Sequence, residues 1–303
     1  MNGSNINLNL YKTFYDVAKY GSFSKAAKSC YTSQPAISKA IKKLEEQLNT
    51  QLFYRNLSGV ELTEKGKELF YFVEKSYNNL LIAERNMLET ETLERGKLSI
   101  GMPSNIGSFY LFDKIIDFHN KYPKIEITII TGSTSKLISL LDTHKVDFVI
   151  DTSPIDVRLN EEIKVKKLKE VNYCFIVKSN TNLLEPSKIK RLKDLEMHPL
   201  ILPIPGTANR NDLDELLNYK KVNIENVINI HTSEMIISAV KKDLGIGYVI
   251  YNLVENEIKN KEIQVLNIKE DLPTVEINII YDDYFLTTAP KRFIEEYIKY
   301  NIE

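Results

Sequence analysis

The sequence predicts a chain in two parts. The first is an all-α head that carries a β-hairpin and runs into one long helix. The second is an α/β domain built on a parallel sheet. Three observations predict this division. Apolar residues recur at helical spacing over residues 7–48. A sparser apolar stripe continues at near-heptad spacing over 64–93. From Gly96 onward, apolar runs of strand length alternate with amphipathic helical stretches.

The head comes first. Leu10, Phe14, Val17 and Ala18 fall on one face of a helix over 7–20, and Gly21 suits its C-terminal cap. Ser24 is the candidate N-cap of a short helix from Lys25 to Cys30, with Ala26 and Ala27 as small packing residues. Tyr31-Thr32-Ser33 is long enough only for a turn. Ser33 can cap a third helix, in whose first turn Pro35 is tolerated. That helix buries Ile37, Ile41, Leu44 and Leu48 and shows Ser38, Lys39, Lys42 and Lys43 on its other face. QLFYRNLSGVELTEKG then alternates and turns at Ser58-Gly59, the pattern of a β-hairpin. Thr63 can cap the long helix, along which Leu69, Val73, Tyr77, Leu80, Leu81, Glu84 and Leu88 fall near coiled-coil spacing, a seam that Glu84 weakens; a basic head joined to such a helix suggests a dimer.

In the second part KLSIGM, EITIITG and DFVID read as buried strands, with helices over 109–121 and 135–144 between them. NYCFIVKS, HPLILPI, a helix near 211–219, VINIHT, a helix over 233–243 and GIGYVI form a second series. VEINIIYDD and a helix over 288–300 close the chain.

Charge separates the two parts where the total hides it. The 303 residues hold 40 basic and 41 acidic side chains. Residues 1–67 nevertheless carry ten Lys/Arg against five acids, a net +5, which suits a polyanion partner and, taken by itself, suits an ordinary solvated charged face at least as well. Residues 68–94 carry a net −4. With 43% hydrophobic and 27% charged residues the chain reads as globular, not disordered. No run approaches the ~18 apolar residues of a membrane span. MNGSNINLNLYK lacks the features of a secretory signal, so a cytoplasmic protein without membrane partners is expected.

Two short helices joined by a three-residue turn, the second with a polar face opposite an apolar stripe, make a helix-turn-helix. The hairpin behind it would be a wing. SFSKAAKSCYTSQPAISKAIKKLEEQLNTQLFYR followed by GVELTEKG resembles the winged helix-turn-helix of LysR-type transcriptional regulators. Cys30 and Asn49 depart from the family pattern, where Leu and Gly are usual; Asn, like Gly, tolerates the left-handed conformation of a helix end. The resemblance covers the whole chain. It implies a winged helix-turn-helix over 1–63 and a linker and dimerisation helix over 64–94. It further implies a two-lobed effector domain like the periplasmic binding proteins, with lobe 1 over 95–165 and 273–303 and lobe 2 over 166–272. It also implies a dimer on an inverted-repeat site of double-stranded DNA, and a dimer of dimers in which an effector shifts the spacing of the heads.

By that resemblance Ser33, Gln34, Ser38 and Lys39 meet DNA from the recognition helix. Gln pairs bidentately with adenine and Lys with guanine. Lys42, Arg55 and Lys65 suit phosphates. Taken alone, Lys42 and Lys43 are equally an ordinary solvated face.

Ligands in open α/β sheets bind beyond the C-terminal ends of strands. Those ends here are small and polar: Pro103-Ser104-Asn105, Gly132-Ser133-Thr134, Asp151-Thr152-Ser153, Pro205-Gly206-Thr207 and His231-Thr232-Ser233. Ser104, Asn105, Ser133, Thr134, Thr207, Thr232 and Ser233 are the candidate effector contacts. Hydroxyls and amides at helix N-termini suit a small anion, commonly a carboxylate. Each hydroxyl serves equally well as the cap of its own helix, and only their convergence argues for a pocket. Gly245 and Gly247 read as sites of close backbone packing.

No catalytic residue, cofactor or metal site is expected. His119, His144, His198 and His231 lack metal-ligand spacing, and no GxSxG, Walker A or GxGxxG motif occurs. Cys30 falls in the helix-turn-helix core and Cys174 in a strand, where a buried structural thiol is the simpler reading. The alternatives are a cytoplasmic solute-binding protein and a thiol redox sensor.

Overall fold

The computed structural model describes residues 6–56, 59–88, 93, 95–152 and 163–299, apart from the side chains of Arg55, Asn86, Leu88 and Ser108. Ser58 of the expected hairpin turn, residues 89–92 and 94 of the expected linker and Ser153 lie outside the described residues. The chain forms two compact units, Met1–Glu89 with Asp142–Lys145, and Thr90–Leu141 with Val146–Glu303.

In the first unit α1 (Leu8–Tyr20) ends at Gly21, whose φ of 58° is the left-handed cap expected there. The second helix, α2 (Phe23–Ser29), starts two residues earlier than expected. Ser22, not Ser24, caps it by accepting the Lys25 amide at 3.4 Å. The third, α3 (Gln34–Leu48), is capped by Ser33, which accepts the Ala36 amide. It ends at Asn49, left-handed at φ 47° and ψ 42°. Phe14, Ala26, Ile37, Ile41, Leu44 and Phe53 form a shared core that fixes the crossing of the three helices.

The hairpin strands β1 (Phe53–Asn56) and β2 (Gly59–Leu62) pair antiparallel with Phe53 opposite Leu62. One carboxylate ties the hairpin to α3: Glu45 Oε1 accepts the amides of Leu52 at 2.7 Å and Phe53 at 3.3 Å. The long helix α4 (Glu64–Leu88) starts from Thr63, whose hydroxyl accepts the Gly66 amide and donates to the Gln51 carbonyl. Leu69, Phe70 and Val73 pack onto the head's own core. Tyr15 of α1 stacks on Phe70 at 5.8 Å and meets Tyr77 at 4.9 Å. The seam expected wholly for a partner is therefore partly taken up within the chain. Leu80 remains 60% exposed and Leu81 40%.

The second unit opens with β3 (Gly96–Met102), a short helix α5 (Ser104–Ile106), a π-helical turn over Gly107–Leu111 and α6 (Phe112–Lys121). β4 (Ile125–Thr131), α7 (Thr134–Asp142) and β5 (Phe148–Thr152) follow. The strand β6 (Ile163–Lys178) leads to β7 (Leu200–Pro203), α8 (Ala208–Tyr219), β8 (Val227–Ile230), α9 (Ser233–Lys241) and β9 (Ile246–Ile250). The chain ends with α10 (Glu255–Lys259), β10 (Ile263–Val265), β11 (Thr274–Asp282) and α11 (Thr288–Phe293), which continues as a π-helical turn.

The strands join in the order β4-β3-β5-β11-β6-β9-β7-β8, with β10 also paired to β6. The sheet is mixed, not purely parallel as expected. β3 is parallel to β4 and β5, and β7 is parallel to β8 and β9. β11 and β6 run antiparallel to their neighbours because both return from one lobe to the other. The first half of β6 pairs with β11 and the second half with β9, so this one strand belongs to both lobes. A bulge sits where Leu168 has no counterpart between Ile277 and Asn278. The core runs unbroken along the sheet, from Leu98 and Phe118 through Ile277 to Tyr248 and Leu213. The two glycines expected at close approaches are such sites. A Cβ on Gly245 would stand 2.4 Å from the Pro199 carbonyl oxygen, and one on Gly247 would stand 2.6 Å from Val240 on α9.

Candidate functional site

Two surfaces gather the residues singled out by sequence. The first is the outer face of α3. Ile37, Ile41 and Leu44 hold the helix against the core, which leaves Gln34, Lys39, Lys42 and Lys43 exposed and Ser38 half-buried on the opposite face. Ser33 is exposed at the helix start, where its hydroxyl is engaged as the cap. The Ser24 hydroxyl, freed from the expected cap role, donates to Gln34 Oε1 at 3.0 Å. This contact orients the Gln34 amide and leaves its NH2 donors outward. Lys39 has no ion-pair partner among the described residues. Lys42 lies 3.8 Å from Glu46, an exposed pair of little consequence. Lys65 bonds Glu68 at 2.7 Å, which raises its pKa and keeps it cationic. Arg55 lies on β1, but its side chain is outside the described residues.

Cys30 is half-buried at the end of α2 rather than deep in the core. Its thiol donates to Asp16 Oδ2 at 3.1 Å, and Lys12 meets the same oxygen at 3.0 Å. A Leu at this position could not make that bond. Burial and the adjacent Asp16 push the thiol pKa up, away from a reactive thiolate. Burial pushes Cys174 up to about 12. Neither shift favours the thiol-sensor alternative. Among the described residues no group of three or more His, Cys, Asp and Glu could hold a metal ion.

The second surface lies at the C-terminal ends of the strands in the α/β unit. Two cavities of about 420 Å³ and 530 Å³ share Asn105, Ser133, Thr207 and His231 as walls. Ser104, Asn105, Ser133, Thr207, Thr232 and Ser233 line the smaller one, and Thr134 lines the larger with Asn105, Ser133 and Thr207. All seven residues expected to converge do so. The hydroxyls divide between capping and open roles. Thr232 caps α9 by accepting the Met235 amide at 3.4 Å. Thr207 stands at the start of α8 but donates to the Ile204 carbonyl at 2.9 Å, so no side chain caps that helix.

Among the wall residues not selected from the sequence, Asp151, Asn209 and Tyr173 bear most on the chemistry. Asp151, in the sequence simply the end of a strand, lines the larger cavity and is 1% exposed. Asn209 and Tyr173 line it as well. Tyr173 stacks on Tyr248 at 4.9 Å, and burial raises both phenol pKa values. Asn209 lies on the first turn of α8, and Tyr173 alternates inward along β6; position after a strand end could have found the first but not the second. The walls carry the acids Asp151 and Glu234, with no Lys or Arg among the described lining.

Comparison with known proteins accords with this geometry. Residues 8–67 match the family model for bacterial regulatory helix-turn-helix proteins of the lysR family. Residues 91–299 match the model for the LysR substrate binding domain. The HTH-type transcriptional regulator YofA of Bacillus velezensis is 27% identical over 279 residues, covering 92% of this chain and 93% of its own. A probable RuBisCO transcriptional regulator of Phaeodactylum tricornutum is also 27% identical, covering 87% of each chain. A full-length OxyR variant from Pseudomonas aeruginosa shares the fold with a TM-score of 0.71 at 20% identity, over 97% of this chain and 93% of that one. Full-length CbnR, solved in complex with its target DNA, gives 0.67 at 17% identity, over 97% and 99%.

Proposed function

This chain belongs to the LysR family of transcriptional regulators, and from that premise we propose that α3 and the β-hairpin read double-stranded DNA while the cavity at the strand ends receives a small effector that sets activity. The observation that carries the reading is the division of α3. Its inner face is locked by Ile37, Ile41 and Leu44, and its outer face presents Gln34, Ser38 and Lys39 with Ser24 orienting the glutamine. A helix so braced can enter a major groove without rearranging.

Gln34, Ser38 and Lys39 read bases in this proposal. The start of α3 at Ser33, together with Lys42, Arg55 and Lys65, meets phosphates. Two heads related by a two-fold axis read an inverted repeat, and two such dimers form the working tetramer in the cytoplasm. The effector carries an anionic group received by the helix N-termini around Ser104, Ser133 and Thr207. An effector shifts the equilibrium only if it binds the two states with different affinity.

The test is DNA binding by the full chain across a salt series. Affinity falls steeply with salt as Lys and Arg contacts release counterions. Lys39→Ala relaxes preference at one base position by about 1–3 kcal/mol, whereas Arg55→Ala weakens all sequences alike. Wild-type affinity and base preference in both variants would refute the assignment of this face.

A further inference from the structure

Asp151 has no ion-pair partner among the described residues. It ends β5 on the wall of the larger cavity, 1% exposed. Oδ1 accepts the Thr152 amide at 2.7 Å. Oδ2 is buried and has no hydrogen-bond partner. The residue opposite it on β11 is Asn278, whose side-chain amide is directed to the Glu276 carbonyl instead. Burial raises the Asp151 pKa, against the pull of the Thr134 hydroxyl and the Thr152 amide. A purely structural carboxylate in such a place has both oxygens engaged, because an unpaired buried acceptor is costly. Here one oxygen is left unpaired on a residue that lines a cavity.

A second wall of the same cavity has the opposite character. The twelve-residue helix α8 begins there with Thr207, Ala208 and Asn209. Thr207 turns its hydroxyl away to Ile204, so the positive end of the helix is left to the cavity. The cavity therefore offers a negative point and a positive point within about 530 Å³. A ligand that is only anionic satisfies α8 and leaves Asp151 unpaired. A dicarboxylate long enough to span the cavity sets a like charge against it.

We propose that the effector is a small zwitterion of the amino-acid type, its ammonium group donating to Asp151 Oδ2 and its carboxylate received at the start of α8. The proposal rests on the effector reading of this cavity and narrows it. Tyr173 and Val275, also on the wall, give the apolar surface against which the ligand's side chain would rest.

Thermal shift and titration calorimetry on the full chain provide the test. The probes are the twenty L-amino acids, with acetate, succinate and benzoate as simple carboxylates. At least one amino acid raises the melting temperature and binds. For that amino acid, the analogue lacking the amine and the analogue with an amidated carboxylate each bind at least tenfold more weakly. Asp151→Asn also loses at least tenfold while melting no lower than wild type, which separates lost recognition from lost folding. Equal binding of the amine-free analogue, or undiminished binding by Asp151→Asn, overturns the proposal. Binding of simple carboxylates without amino acids, lost in Ser104→Ala with Ser133→Ala, overturns the zwitterion and leaves the cavity as an effector site. Binding by neither class removes both readings.

Discussion

Gly66→Ala sets two known effects against each other at one position. Gly66 is the third residue of α4, and in an ordinary helix the change to Ala gains about 1 kcal/mol. Here the added Cβ would stand 2.2 Å from the Leu52 carbonyl oxygen and 3.1 Å from both the Leu52 carbonyl carbon and Leu62 Cδ2. Carbon and oxygen rest at about 3.3 Å even in their closest favourable contacts, so the helix start must move by about 1 Å. That carbonyl already accepts the Thr63 amide at 3.0 Å, and Thr63 in turn holds Gly66 and Gln51. Overpacking costs about 1–3 kcal/mol and each weakened hydrogen bond about 1 kcal/mol. With one of these hydrogen bonds weakened and the helix gain subtracted, the junction of hairpin and long helix loses about 1–3 kcal/mol. Amide exchange in the full chain is the assay. Peptides covering residues 50–70 should exchange roughly 5- to 150-fold faster, while the strands of the α/β unit keep their protection. Unchanged or slower exchange at residues 50–70 would refute the packing argument.

Three further outcomes follow from the geometry. Leu80 and Leu81 stay exposed on α4, so replacing both with Glu should give monomers by light scattering, and an unchanged dimer places the interface elsewhere. Ser104→Ala with Ser133→Ala should abolish the response to effector in a reporter assay while DNA affinity stays within twofold; a wild-type response at wild-type effector concentration refutes their role. Asp151→Asn should stabilise the unliganded chain at neutral pH by about 1–3 kcal/mol, because it removes a buried unpaired charge. The folded-state pKa of Asp151 is raised, so its contribution is full below the unfolded carboxylate value and is lost as pH rises through the folded value. The stability gap between variant and wild type should therefore open as pH rises above about 4. His231 lines the same cavity in both proteins and does not enter the difference. A gap that is constant or closes with rising pH would contradict this account.

The regular elements were legible because local pattern and tertiary burial agree in them. The apolar runs of β3, β5, β7 and β9 are buried on both faces, and Ile37, Ile41 and Leu44 repeat at a clean helical period. Elements whose partner is distant were not. The first half of β6, IKVKKLKE, alternates weakly and is charged, and it is a strand because β11 pairs with it about 110 residues later. The cap of α2 moved to Ser22 because Ser24 found a better partner in Gln34. The seven cavity residues were legible because strand ends in an α/β sheet share one rim. Asp151 lies on the same rim, but its meaning depends on an oxygen left unpaired, and sequence carries no record of which polar atoms go without partners.

The sheet order has a consequence during synthesis. β5 is fully buried at Phe148, Val149 and Ile150, yet the strand that covers its open edge, β11, starts at Thr274. About 120 residues separate the two, and at about 5–20 residues per second a ribosome needs roughly 6–24 s to supply them. Through that interval the first lobe cannot close, while the second lobe has most of its strands in hand. An open apolar edge of this kind invites pairing with other chains. The segment that follows β5 and shares its missing partner is the lysine-rich start of β6, with Lys164, Lys166, Lys167 and Lys169 all exposed. Their like charges would repel neighbouring nascent chains from the waiting edge. Neutralising these lysines would therefore be felt first as aggregation during expression, before any loss of stability in the finished protein.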